Sequence, residues 1–356
     1  MLVLGGKLQP YGGIETHILH FCQSLAEKLP GLPLYLTSTG YAQESKKTLR
    51  QKTVRLHEFD CSGGIKGKLE YIRCLNRIRM EHAENMVLYS HGTSGFAYLA
   101  NKMLRPSLWI HHHHSDIQPD TRFSKLYGTV LESADWLIAC TPEQAKVLDA
   151  KYGRRGRSVF LPICKAEPAM ATVPIRHPQR LEKVIVGFFG RLRESKGVRV
   201  LMELAPWFRD HGMECRLHGD DCEGWMLKGL PSGVSWSGAY DSAKDIDRLL
   251  STVDVVALPT TFPEGLPIVM CEAISRGVPI VAYPGGGLRE MASFHPGVII
   301  VPPDLESLKA GLLEMKDRLR EPGLGNSLAK KYQQELGNQK TLDWWDNLLS
   351  DGQLSQ

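Results

Sequence analysis

No stretch of this chain is long and apolar enough to cross a bilayer as a helix, so a membrane-embedded protein is not expected. The opening Met1-Leu2-Val3-Leu4 runs straight into a glycine loop, with no basic region, long apolar segment or cleavage site of a secretory leader. Paired cysteines are missing as well. Eight cysteines are scattered without any C-x-x-C spacing, which argues for reduced, packed thiols and against a disulfide scaffold or a zinc ribbon. There is no internal repeat and no low-complexity tract. A large excess of one charge is also absent, since the formal net charge is only +4, and no nucleic-acid partner is expected. A cytoplasmic protein is the expectation.

What is present is a globular composition, 42% hydrophobic and 23% charged, over a length that suits two domains. The charge is uneven. Residues 1–170 hold 22 Lys and Arg against 15 Asp and Glu, a net +7. The remainder is net −3, with 21 against 24. The basic half would suit an anionic acceptor, or peripheral contact with the anionic inner face of a membrane. Ordinary surface charge explains it equally well.

Apolar strand patterns alternate with amphipathic helical ones throughout, which predicts an α/β protein with parallel sheets. Short buried strands are expected at 1–4, 32–36, 54–59, 86–90, 107–110, 136–139 and 158–161. Residues 165–180 carry Pro168, Pro174 and Pro178 without periodicity and read as a linker. A second series begins at Val184 and continues through 215–218, 234–237, 253–258, 279–283 and 298–301. The layout is that of two doubly wound domains facing across a cleft, with ligands at the carboxyl ends of the strands. The expected boundaries are an N-terminal Rossmann-like domain at 1–165, a linker at 166–182, a C-terminal domain at 183–335 and a terminal helix at 336–356.

The richest segment is Phe262-Pro263-Glu264-Gly265-Leu266-Pro267-Ile268-Val269-Met270-Cys271-Glu272-Ala273. A strand, a glycine-bearing loop and a helix N-terminus make an anion site, because unpaired N–H groups point out of the helix end. Pro267 suits a first helical position. Across a full helix the two glutamates would stand roughly 12 Å apart, at about 1.5 Å per residue. That is too far to share a proton and about right to hold both ends of a nucleotide-sugar. Cys271 reads as packing.

This segment resembles the E-x7-E signature of the large family of retaining glycosyltransferases with the GT-B fold. Further features match the family in order. Pro10-Tyr11-Gly12-Gly13-Ile14-Glu15 resembles its first glycine loop, and Gly190-Arg191-Leu192-Arg193-Glu194-Ser195-Lys196-Gly197 resembles its G-R-L-x(n)-K-G element. Leu108-Trp109-Ile110-His111-His112-His113-His114-Ser115-Asp116 resembles a strand followed by the loop whose histidine reaches the transferred sugar. His113 aligns best, and a register one later selects His114. Adjacent residues on an extended segment point to opposite faces, so four successive histidines do not converge on one ion, and no metal is expected there.

The resemblance implies α/β GT-B architecture and transfer of a sugar from a UDP- or GDP-sugar with retention of configuration. No cofactor or metal is required, because Arg191 and Lys196 would balance the charge growing on the diphosphate. By the same resemblance, His113 and Glu264 join them at the reacting centre, with Glu264 near the sugar. Gly13, Gly265 and Leu266 would meet the donor through backbone groups, and Glu272 would accept from the ribose hydroxyls. Gly12, His114 and His91 are candidates for the acceptor or sugar pocket, although packing explains His91 better. Gly285-Gly286-Gly287 is a glycine loop near the same site. Asp220 and Asp221 read as a turn. Leu161-Pro162-Ile163-Cys164-Lys165 departs from the hinge usual in the family. The acceptor is expected to be a glycan, glycolipid or small molecule, with bacterial surface polysaccharide or lipopolysaccharide synthesis as the context. A nucleotide-sugar epimerase of the same fold and a non-catalytic nucleotide- or glycan-binding protein are the alternatives.

Overall fold

The computed structural model describes residues 1–4, 7–8, 13–38, 40–41, 49, 54–58, 64–82, 86–91, 94–114, 124–152, 157–167, 183–225, 229–262 and 265–350. Contacts divide the chain into two units, Met1–Lys165 with Asn338–Gln356, and Ala166–Gly337.

In the first unit the strands are β1 (Leu2–Leu4), β2 (Lys7–Leu8), β3 (Tyr35–Ser38), β4 (Gly40–Tyr41), β5 (Arg55–Glu58), β6 (Val87–His91), β7 (Leu108–His113), β8 (Trp136–Ala139) and β9 (Ser158–Phe160). Seven of them form a parallel sheet in the order β5-β3-β1-β6-β7-β8-β9, and β2 pairs with β4. In the second unit β10 (Val184–Phe189), β11 (Met213–His218), β12 (Val234–Trp236), β13 (Val255–Leu258), β14 (Ile280–Ala282) and β15 (Val298–Ile300) follow. Their order is β12-β11-β10-β13-β14-β15. Both sheets therefore reverse direction beside their first strand, between β1 and β6 and between β10 and β13. Such switch points are where open α/β sheets bind ligands.

The strands are apolar runs because each sheet is covered on both faces. All six residues of β10 are buried. Sequence and structure differ at two places. The β2–β4 pair was not expected, because two-residue strands leave no periodicity to read. More consequentially, β7 runs on through His113, where a loop was expected after Ile110.

The terminal helix Asn338–Ser350 packs within the first unit. Trp345 is fully buried there, with its ring 5.3 Å from Phe21 and 4.7 Å from Tyr89. Truncating such a tryptophan costs about 3–5 kcal/mol. The helix start is fixed by Asn338, whose amide accepts from Lys165 N–H and donates to Lys165 C=O, and by Thr341, which donates to Pro162 C=O. Lys28 pairs with Asp343 at 2.9 Å on the surface. Among the described residues no helix is long and apolar enough to cross a membrane.

Candidate active site

In the second unit the loops after β10 and β13 are neighbours across the switch point, and backbone bonds lock them together. Ser195 C=O accepts from Thr261 N–H at 3.0 Å and from the Thr260 hydroxyl at 3.3 Å. Gly197 sits at φ 85°, and a Cβ on it would lie 2.3 Å from Pro259 O, so only glycine permits this approach. The result holds Lys196, at the end of the 3-10 turn Glu194–Lys196, with Nζ 4.9 Å from the ring centroid of Phe262. Burial, and then the Arg191 and Arg193 guanidinium groups, lower Lys196 to about 8. Arg191 itself is exposed. Two cations thus stand at one strand end, each raising the other's cost. Such a pair binds a polyanion well, because an anion relieves the repulsion.

Gly265 and Leu266 are buried, and Gly265 C=O accepts from Gly287 N–H at 2.7 Å, tying the third glycine loop to the same place. The helix that follows is Ile268–Ser275. Pro267 is its N-cap, with ψ 127°, rather than its first helical residue as expected. The reason is local: extended ψ at Pro267 turns its C=O to accept from Met270 N–H, and no side chain caps the helix start. The unpaired N–H groups of that end carry a partial positive charge. Glu272 is 1% exposed, and its carboxylate accepts from the Ser242 hydroxyl. Burial, and then the Glu272 carboxylate, push the Tyr240 phenol upward. Glu264, like Gly12, lies outside the described residues.

Asp220 and Asp221 form a turn: Asp220 C=O accepts from Leu192 N–H, and the Asp221 carboxylate accepts from Trp225 N–H. Behind them His218 ends β11. Its ring stacks on Phe189 at 4.5 Å, and burial foremost lowers it to about 4.

In the first unit Gly13 begins the helix Gly13–Lys28. The alternation of the histidine run is as expected, but its burial is not. His111 and His113 turn to one face, where both meet the Tyr127 hydroxyl, at 3.2 and 2.7 Å. His112 and His114 turn to the other face. There His91 Nδ1 meets His114 Nε2 at 2.8 Å, and the Tyr89 hydroxyl links His112 Nδ1 and His17 Nε2 at 2.7 and 3.1 Å. The expectation that the run offers no convergent donors holds for four adjacent residues. It fails for alternate ones, because His17 and His91 arrive from other elements. The donor nitrogens of His17, His91, His112 and His114 all lie within 4.8 Å of one another. His113, the residue favoured from the sequence, is 2% exposed on the opposite face.

Residues 183–317 match the family model of the glycosyl transferases group 1. The match lies within the second unit. Over 98% of this chain and 99% of the other, the structure is similar to that of Anabaena HepE crystallised with UDP and glucose, with TM-score 0.77 and 19% identity. That likeness shows the fold, GT-B. D-inositol 3-phosphate glycosyltransferase of Pseudarthrobacter chlorophenolicus is 24% identical over 80% of this chain and 76% of its own length. Mannosylfructose-phosphate synthase of Agrobacterium fabrum is 27% identical over 52% of this chain, and the match spans 46% of that enzyme.

Within the second unit, sequence reasoning missed Ser242, Tyr240 and Phe262 as neighbours of the key charges. Ser242 is 30 residues from Glu272 and carries no motif.

Proposed function

We propose that this chain is a retaining glycosyltransferase that moves a sugar from a nucleoside-diphosphate sugar to an acceptor hydroxyl, without a metal at the leaving group. One observation carries the reading. The Ser195 backbone bonds and the glycine at 197 fix the turn that carries Lys196 against the loop after β13, with the Arg191 charge near it, and that loop leads into a helix start without a side-chain cap and on to the buried Glu272. Departure of the sugar leaves negative charge on the diphosphate. Cations already in place stabilise that charge without reorganising during the step. Glu272, held by Ser242, suits the ribose diol, and Glu264 suits the sugar. His113 or His114 is the histidine for the sugar.

The relative crystallised with UDP and glucose supports a UDP-sugar as the first donor to test. The helix Gly64–Glu81 supports an acceptor at an anionic lipid surface, as in surface-polysaccharide synthesis. It carries five Lys and Arg against two Glu, and Ile65 and Met80 on it are 77% and 85% exposed. Such a face favours an anionic interface.

The test is thermal stabilisation by UDP, GDP and ADP, followed by donor turnover with and without an acceptor panel. A ligand at about a hundred times its dissociation constant adds roughly 2.7 kcal/mol. Stabilisation by one diphosphate and acceptor-dependent release of it are expected. Acceptor-independent conversion of the donor would indicate an epimerase, and binding without turnover a sugar-binding protein.

A further inference from the structure

The imidazoles gathered in the first unit include His114, one of the two histidines offered above for the sugar, and their arrangement has its own logic. His91 ends β6, His112 lies on β7 with His114 just beyond it, and His17 sits on the helix Gly13–Lys28. They meet at the carboxyl ends of β6 and β7, beside the switch point between β1 and β6. His17 and His112 are completely buried, and His91 is nine-tenths buried. Four imidazoles in so little volume are a desolvation cost that needs a return.

The distances suit an ion. Around a tetrahedral zinc with bonds of about 2.0–2.1 Å, nitrogens stand roughly 3.4 Å apart, and a thiolate sulfur stands about 3.6 Å from each nitrogen. Here the four nitrogens fall within 4.8 Å of one another. Cys140 Sγ, on the turn after β8, lies 3.6 Å from His112 Nε2 and 3.9 Å from His114 Nδ1. The sulfur edges are close to the separation expected around a bound ion, and the widest nitrogen pair needs to close by up to about 1.4 Å to reach the ideal edge.

The orphaned atoms agree. His91 Nε2 is buried with no hydrogen-bond partner, a lone position that an ion would satisfy. Tyr89 Oη, against His112 Nδ1, is placed to orient that ring from behind, as outer partners of metal-binding histidines do. His17 is the weakest of the four. Its Nδ1 already accepts from Cys164 N–H at 2.9 Å, a bond it must give up to present Nε2 to an ion.

We propose that His17, His91, His112 and His114, with Cys140 at the floor, form a site for one divalent transition ion of the zinc type. Imidazole and thiolate select Zn2+, Co2+, Ni2+ or Cu2+ over Mg2+ and Mn2+. The ion ties the Gly13–Lys28 helix to β6, β7 and the turn after β8, so its role is to clamp the first unit. It is independent of the leaving-group chemistry in the second.

The test uses the full chain produced without a polyhistidine tag. Zn2+ retained after dialysis is counted by mass spectrometry of the metal, and Co2+ binding is followed by its d–d and sulfur charge-transfer absorption. About one equivalent per chain, a Co2+ spectrum with sulfur charge transfer and the d–d intensity of a four- or five-donor site, and a raised unfolding temperature are expected. His112→Gln and Cys140→Ala should abolish high-affinity binding. His114→Gln, at a half-buried position, removes a ligand with the least risk to folding and should do the same. Tyr89→Phe should weaken binding about 10- to 100-fold. His111→Gln, on the opposite face, should retain the ion. Folded wild-type chain that retains none of the four ions overturns the proposal, as does binding unchanged in folded His114→Gln.

Discussion

Lys196 gives the sharpest quantitative handle, because its surroundings set when it is charged. Burial, Arg191 and Arg193 lower it to about 8. The sign follows directly: a lowered ammonium is charged below that pH and neutral above it. A group titrating at about 8 is roughly nine-tenths charged at pH 7 and one-tenth charged at pH 9. If the charged form is required to bind the diphosphate, kcat/KM should fall about tenfold between those pH values, since kcat/KM reports the free enzyme. Bound diphosphate restores the proton by opposite charge, so kcat should hold to higher pH. Lys196→Ala should cost about a hundredfold or more at pH 7, the scale for losing one preorganised charge partner, and should abolish the alkaline limb. Lys196→Arg should keep charge at all pH values and flatten the limb while recovering part of the rate. The assay is initial release of nucleoside diphosphate at low donor concentration across the pH range. A wild-type profile flat to pH 9, or an unchanged alkaline limb in Lys196→Ala, would refute the reasoning.

Other expectations follow from the same charges. Glu264→Gln should lower kcat far more than it weakens nucleotide binding, whereas Glu272→Ala should mainly raise the donor KM; the two phenotypes exchanged would mean the donor lies the other way round. Arg191→Ala should cost about a hundredfold and Arg191→Lys should not restore full rate, because a point charge lacks the bidentate fork. Transfer should survive EDTA; loss restored by Mg2+ or Mn2+ would refute the metal-free leaving group, while loss restored only by Zn2+ would trace to the imidazole cluster. Co-sedimentation with anionic vesicles should fall when Ile65 and Met80 are both replaced by aspartate, and equal pelleting of the two proteins would remove the membrane-surface reading.

Much of the architecture is legible because parallel strands buried on both faces leave continuous apolar runs, such as Val184–Phe189, bounded by glycine or proline. Arg191 and Lys196 are also legible, since both follow a strand end that the pattern marks, and Glu272 is legible as a charge inside an otherwise apolar helix. The histidine run misled because imidazole reads as a loop residue. Serine and tyrosine hydroxyls and a thiol satisfy most of its nitrogens, so β7 can carry it into the interior. The four-imidazole cluster was illegible for a different reason. Its members come from a helix and two strands spread between residues 17 and 114, and only sheet order brings them together. Ser242 against Glu272 is hidden in the same way, as a tertiary pairing without local pattern.

The central claim is that a nucleotide-sugar held in the second unit gives up its sugar with retention of configuration. Proton NMR of the reaction, begun with an α-linked UDP-sugar and an accepted hydroxyl compound, tests it most directly. The account predicts one nucleoside diphosphate released per glycoside formed, with the new anomeric proton showing the small coupling of an α-linkage for a gluco-configured donor. A β-linked product, or consumption of the donor with no diphosphate released, would contradict it.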